Sequence, residues 1–164
     1  MDATNPEHIR DACGRLSSGV FLISSCHDAS RAATLTAGVH QCAAEPVLLA
    51  VPMHKGHPIE PLIRDSRSFA ITALRPDDRV ARRRFGGQPP ADRLFDPFDA
   101  VAVRTLVSRA PILRDAPLGF DCEVVRHVDL EADHELYIGR VLAVYAEGDA
   151  PAPLRAADIE PLDH

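Results

Sequence analysis

The chain has 164 residues, 46% of them hydrophobic and 26% charged, with a formal net charge of -6. That length suits one domain with a core that needs no metal or disulfide staples, and the negative balance leaves no electrostatic footprint for nucleic acid. No basic region followed by an apolar run opens the sequence, and runs such as Val47–Val51 are far shorter than the roughly 20 residues of a membrane span. The expectation is a cytoplasmic protein off the membrane. Cys13, Cys26, Cys42 and Cys122 form no CxxC pair and read as free thiols in a reducing compartment, behaving as small hydrophobes.

In chain order, Asn5 can cap a first helix over Pro6–Leu16, whose inner face would be Ile9, Cys13 and Leu16. Gly19–Ser25 reads as a buried strand, and "HDASR" as a turn. "AATLTAGVHQCA" is extended and semi-polar, and Val47–Pro52 is a second buried strand. A short helix is expected at Pro58–Arg64, with Ile59, Leu62 and Ile63 inward, then a strand at Ser68–Leu74. "PDDRVARRRFGG" predicts a helix stopped by Gly86-Gly87, and the Pro- and Asp-rich Gln88–Ala100 predicts a loop. Short strands fit Val101–Thr105 and Pro111–Leu113.

Two long strands end the domain. In Phe120–Leu130, Phe120, Cys122 and Val124 alternate with Asp121 and Glu123, which predicts one wet face. Glu135–Glu147 is apolar or small on both faces, so it should be central. Residues 1–150 form the domain and 151–164 a loose tail. Many strands with few short helices predict a mainly β fold, an antiparallel barrel with peripheral helices.

Four stretches carry candidate chemistry. Thr34 and Thr36 share one side of an extended segment, either as donors to phosphate or carbonyl oxygens or as wet threonines of an edge strand. "PMHKGHP" (Pro52–Pro58) ends a strand and opens a helix. It reads as an anion site with Lys55 as a point charge, or as a solvated turn. His54 and His57 lie three apart, with His40, His127 and His134 elsewhere, but no HExxH or Cys/His ladder accompanies them, so no metal is expected. The arginines of "RVARRRFGG" read first as a solvated helix face, and only weakly as holders of a dinucleotide phosphate. His134 stands at the mouth of the last strand, and Gly139 inside that strand lets something approach its backbone.

Taken together, these segments resemble the flavin reductase-like family of FMN-binding split-barrel proteins, from about Arg15 to Ala146. "RLSSGVFLISS", "AATLTAGVHQCAAEPVLLAV", "SRSFAITAL", "RVARRRFGG" and "ADHELYIGRVLAV" follow the family's motifs in the family's order. The resemblance implies a six-stranded antiparallel split β-barrel that forms a homodimer, with flavin near the subunit interface. It further implies NAD(P)H-dependent reduction of FMN or FAD, with NADH or NADPH as co-substrate and a flavin-dependent monooxygenase as possible partner.

Carried over by position, the resemblance makes Thr34, Leu35, Thr36 and Ala37 cofactor-binding residues, joined by Val51, Met53, His54, Lys55, Phe85 and Gly86. Lys55 would be the phosphate partner. Phe85 and Gly86 would border the flavin, and His134 would be the catalytic residue near the nicotinamide. Ala37, Gly38, His40, Ala44 and Ala132 depart from the family pattern, as does "PMHKGHP". Two other readings are a non-catalytic split barrel carrying flavin or haem, and a flavin-dependent tailoring enzyme acting on an organic substrate.

Overall fold

A computed structural model describes residues 4–16, 18–87 and 95–148. The tail from residue 149 onward and most of the predicted 88–100 loop lie outside the described residues. Twelve elements follow in order: α1 (Pro6–Gly14), β1 (Val20–His27), β2 (Ser30–Ala37), β3 (His40–Ala44), β4 (Val47–His54), α2 (Ile59–Ser66), β5 (Ser68–Ala73), α3 (Arg79–Phe85), β6 (Val103–Arg104), β7 (Ile112–Leu113), β8 (Leu118–Asp129) and β9 (His134–Ala146).

Seven strands form one antiparallel sheet in the order β2-β1-β5-β8-β9-β4-β3, and β6 pairs with β7 as a separate ribbon. The six strands from β2 to β4 curl until β2 approaches β4, and β3 extends the β4 edge. The seam is marked by the Thr36 hydroxyl, which donates to the carbonyl of Pro52 at 2.7 Å. The expected mainly β split barrel is therefore the observed architecture.

Two hydrophobic layers explain the curl. Ile23, Val51, Met53, Phe69, Ile71, Cys122 and Tyr137 fill the barrel, and Ile59 and Ile63 of α2 plug one end of it. Outside β1 and β5, Leu22, Ala33, Leu74, Phe85, Phe98 and Leu113 form the second layer under α3 and the β6-β7 ribbon. Gly119 is required by that cover, since a Cβ there would lie 2.6 Å from Ile112 Cγ2. Gly139 meets the opposite demand from inside: its missing Cβ would lie 2.4 Å from Phe69 Cζ. The close approach expected at Gly139 is thus the Phe69 ring in the core.

Two expectations change, and a third holds with a difference in exposure. Helix α1 forms and is capped, with Asn5 Oδ1 accepting from Glu7 N at 2.8 Å, but it buries no residue. Ile9 is 50% and Leu16 73% exposed, so among the described residues that apolar face stays open. Asp121 does not face water. Segment 106–112 crosses that side of the sheet, and Ser108 N donates to Asp121 Oδ2 at 2.8 Å. β9 lies inside the sheet, yet its outer residues Leu142 and Val144 stay exposed at 37% and 55%.

The thiols divide accordingly. Cys13 and Cys42 are exposed, whereas Cys122 is buried and its thiol is pushed up to about 12, by burial first and then by the charge of Asp121. A thiolate is the reactive species. A maleimide reagent at neutral pH is therefore expected to label Cys13 and Cys42 in the native protein and to spare Cys122 until unfolding, with peptide mass mapping as the check. Because the folded pKa of Cys122 lies above its unfolded value, the stability tied to that proton is present below about pH 9 and lost as pH rises further.

Candidate active site

The site is built where the two ends of the curled sheet meet. β2 is an edge strand, so alternate backbone groups face away from β1 and are open to a ligand. Thr34 and Thr36 pair with Ile23 and Phe21 and lie on their side of the sheet, half-buried at the rim of the barrel core. Leu35 and Ala37 alternate to the other side. After Ala37 the chain turns through Gly38 at φ +80, and a Cβ on Gly38 would touch Pro52 Cγ at 3.5 Å. β2, Gly38 and Pro52 therefore leave a low wall beside the Thr36 hydroxyl.

β4 links this wall to His134. Pro52 pairs with Leu136, and His54 pairs with His134. Two residues along a strand span about 7 Å, which is the offset along β4 between the carbonyl that binds Thr36 and the two histidines. The His54 and His134 rings meet edge to face, 5.2 Å apart at 71°. His134 Nδ1 lies 2.9 Å from Asp133 Oδ1. That bond, followed by the charge of His134, holds the Asp133 carboxyl below the usual carboxylate range. An ionised carboxylate only accepts, so Nδ1 carries a proton, and in the uncharged form of the imidazole this leaves Nε2 as an acceptor.

Several expected positions are placed differently. Val51 and Met53 are 0% and 1% exposed, because β4 alternation sends them into the core and turns Pro52 and His54 outward. Phe85 belongs to the second hydrophobic layer with Leu35, 5% exposed and packed on Phe98 at 5.3 Å. Gly86, which is exposed, remains at that position, and a Cβ there would lie 3.3 Å from Leu35 Cδ1.

The expected anion site at the start of α2 is already satisfied internally. Gly56 N donates to the Glu60 carboxylate, and Ile59 N donates to His57 Nδ1 at 3.2 Å. Burial and then the neighbouring His54 lower the pKa of His57, which favours that neutral acceptor. Lys55 is paired with Asp129, so an incoming phosphate must compete with that carboxylate. The acid at Glu60 in the first turn was the sequence signal for this.

The α3 arginines are partly committed as well: Arg84 donates to the carbonyls of Pro97 and Asp99. A cavity of about 190 Å³ lies behind α3, between Val80, Arg84, Val101 and Leu113, away from Thr36 and His134. Among the described residues, no three His, Cys, Asp or Glu side chains converge in a group that could hold a metal ion. Sequence reasoning gave no role in the candidate site to Asp133, the residue beside His134.

A model of the flavin reductase like domain matches residues 13–159. This chain belongs to the flavin reductase-like family. Among relatives of this flavin reductase-like chain is the FMN reductase (NADH) RutF of Bradyrhizobium diazoefficiens, 27% identical over 90% of this chain and 80% of that protein. The protein of the same name from Methylorubrum populi is 34% identical over 88% of this chain and 70% of its own length.

Solved structures share the fold. A homolog of nitrilotriacetate monooxygenase component B from Mycobacterium thermoresistibile has a TM-score of 0.80 at 22% identity, covering 91% of this chain and 80% of that one. The NADH:FAD oxidoreductase of Streptomyces globisporus, solved with NAD and FAD fragments, has a TM-score of 0.77 at 20% identity, covering 92% and 88%. Within this family frame, backbone donors of an edge strand, threonine oxygens with free lone pairs and a side-chain-free Gly38 are a set that suits a planar flavin ring.

Proposed function

We propose that this chain is an NAD(P)H:flavin oxidoreductase whose ring site lies along Thr34–Ala37 and Pro52, with His134 at the nicotinamide side. The family match over residues 13–159 carries the reading, and the junction of the β2 edge with His134 through β4 supports it. Bound flavin supplies the hydride-accepting chemistry. The chain's part is to bind, orient and polarise. Backbone donors at the β2 edge hold the ring and counter the negative charge that builds on reduction. Thr36 keeps its hydrogen on Pro52 O, so its oxygen offers lone pairs to the ring edge.

His134 Nε2, held as an acceptor by Asp133, receives an N–H of the nicotinamide carboxamide and so fixes the angle of approach. Transfer requires the reacting atoms to be about 3–3.5 Å apart, which is why orientation matters. On the phosphate side, Lys55 serves only by exchanging Asp129 for the ligand.

The outer face of β4 and β9 is apolar at Leu48, Ala50, Pro52, Leu136 and Ile138, which suits a second copy of the chain. In this reading the protein is a homodimer that works in the cytoplasm and hands reduced flavin to a separate oxygenase. No helix among the described residues is long and apolar enough to cross a membrane.

The test is steady-state NADH and NADPH oxidation by purified protein, with and without FMN or FAD. Consumption that depends on added flavin is expected, with light scattering giving a dimer mass. Consumption absent with every pair would sink the proposal.

A further inference from the structure

The hairpin that carries His134 holds a second group of titratable side chains on its inner face. Glu135 follows His134 directly, so strand alternation turns it the opposite way. It is 7% exposed, beside Tyr137 at 4%. Both carboxylate oxygens are engaged: Oε1 accepts from the Tyr137 phenol at 2.8 Å, and Oε2 accepts from His127 Nε2 at 2.6 Å. The His127 ring stacks on the Tyr137 ring, 4.5 Å away and 11° from parallel. Glu60 and Arg64 of α2 are near enough to act on the phenol electrostatically, and Asp129, opposite Glu135 in register, is taken by Lys55.

A carboxylate withdrawn from water is costly even when paired, and apolar residues often stabilise such a place as well or better. Geometry is what a carboxylate bonded on both sides adds. We propose that Glu135 is a positioning residue for His134, locking the start of β9 to β8 through Tyr137 and His127 and so setting the direction in which the His134 imidazole projects. The other side of the hairpin end is held independently, by Lys55 N donating to Asp133 O at 3.0 Å. His134 lies between these two clamps. The inference rests on the reductase reading of His134.

The test compares wild type, Glu135→Ala, Glu135→Gln, Tyr137→Phe, His134→Ala and the Glu135→Ala/His134→Ala double variant, at a temperature where circular dichroism shows each folded. kcat and KM for NADH are read from turnover, and flavin Kd from fluorescence quenching. Glu135→Ala is expected to lower kcat about tenfold, the size of one lost charged hydrogen bond, with flavin Kd moved less than about twofold. Glu135→Gln keeps an acceptor for the phenol and recovers most of the loss.

The double variant is expected to be no slower than His134→Ala alone, because Glu135 acts through His134. Wild-type kcat in Glu135→Ala, or losses that multiply in the double variant, would overturn the proposal. If Glu135→Ala does not fold, Tyr137→Phe and its double with His134→Ala carry the same comparison. A wild-type protein that fails to reduce flavin overturns the reductase reading and this inference together, whereas active wild type with unaffected Glu135 and Tyr137 variants overturns this inference alone.

Discussion

Gly139→Ala is expected to lower the melting temperature by about 6–12 °C, equivalent to about 3 kcal/mol for a chain of this size. The new Cβ would lie 2.4 Å from Phe69 Cζ, 2.8 Å from Cys122 Cβ and 3.0 Å from Phe69 Cε1. Neither neighbour can yield easily, because Phe69 and Cys122 are both 0% exposed and packed among core side chains. Close-packed interiors transmit such strain, so β9 must shift away from β8 or the ring must leave its rotamer.

Shortening the ring tests the cause. Phe69→Leu alone is destabilising, but combined with Gly139→Ala it is expected to cost less than the sum of the two, since the clash is removed. Thermal melts of the four proteins decide it. A Gly139→Ala protein melting within about 1 °C of wild type would show that the core around Phe69 is looser than described.

The second large effect is on turnover. His134→Ala is expected to reduce kcat on the order of ten- to hundredfold while leaving flavin affinity within about twofold. The basis is a co-substrate N–H left without its acceptor in the transition state, a cost of about 1–3 kcal/mol, at 1.36 kcal/mol per factor of ten. Asp133→Asn is the finer probe. The Asp133 carboxylate holds the Nδ1 proton now, and an amide can present its N–H to Nδ1 instead, which moves the ring proton to Nε2 and removes the acceptor. A loss in Asp133→Asn approaching that of His134→Ala is expected. Full activity in both variants would remove His134 from the reaction and leave the β2 edge as the working part of the site.

Much of this was legible in the sequence, for identifiable reasons. The strands at Val20–His27, Ser68–Ala73, Leu118–Asp129 and His134–Ala146 are long, apolar and bounded by turn residues, so local pattern locates them within a few positions. Asn5 and Asp78 cap their helices as their chemistry dictates, accepting from Glu7 N and Ala81 N. What failed was set by distant chain. Asp121 has the alternation of a wet residue, but segment 106–112 covers it, and no local period records that. α1 has an apolar face that is left unburied among the described residues.

In the candidate site, the order of motifs pointed to β2, β4 and His134, yet the direction of each side chain was hidden. "VLLAVPMH" is apolar on both faces, so its sequence does not say that Val51 and Met53 turn inward while Pro52 and His54 turn outward. Lys55 looked like a phosphate cation because its partner Asp129 lies far along the chain, on the neighbouring hairpin.

The most direct test of the account is an anaerobic single turnover: purified protein is mixed with FMN or FAD and then with NADH or NADPH, and the flavin absorbance band is followed in time. Rapid bleaching by at least one nicotinamide–flavin pair, slowed in His134→Ala without loss of flavin binding, is the predicted result. Flavin that binds but keeps its colour with both nicotinamides would contradict the account and leave a carrier or a substrate-gated enzyme in its place.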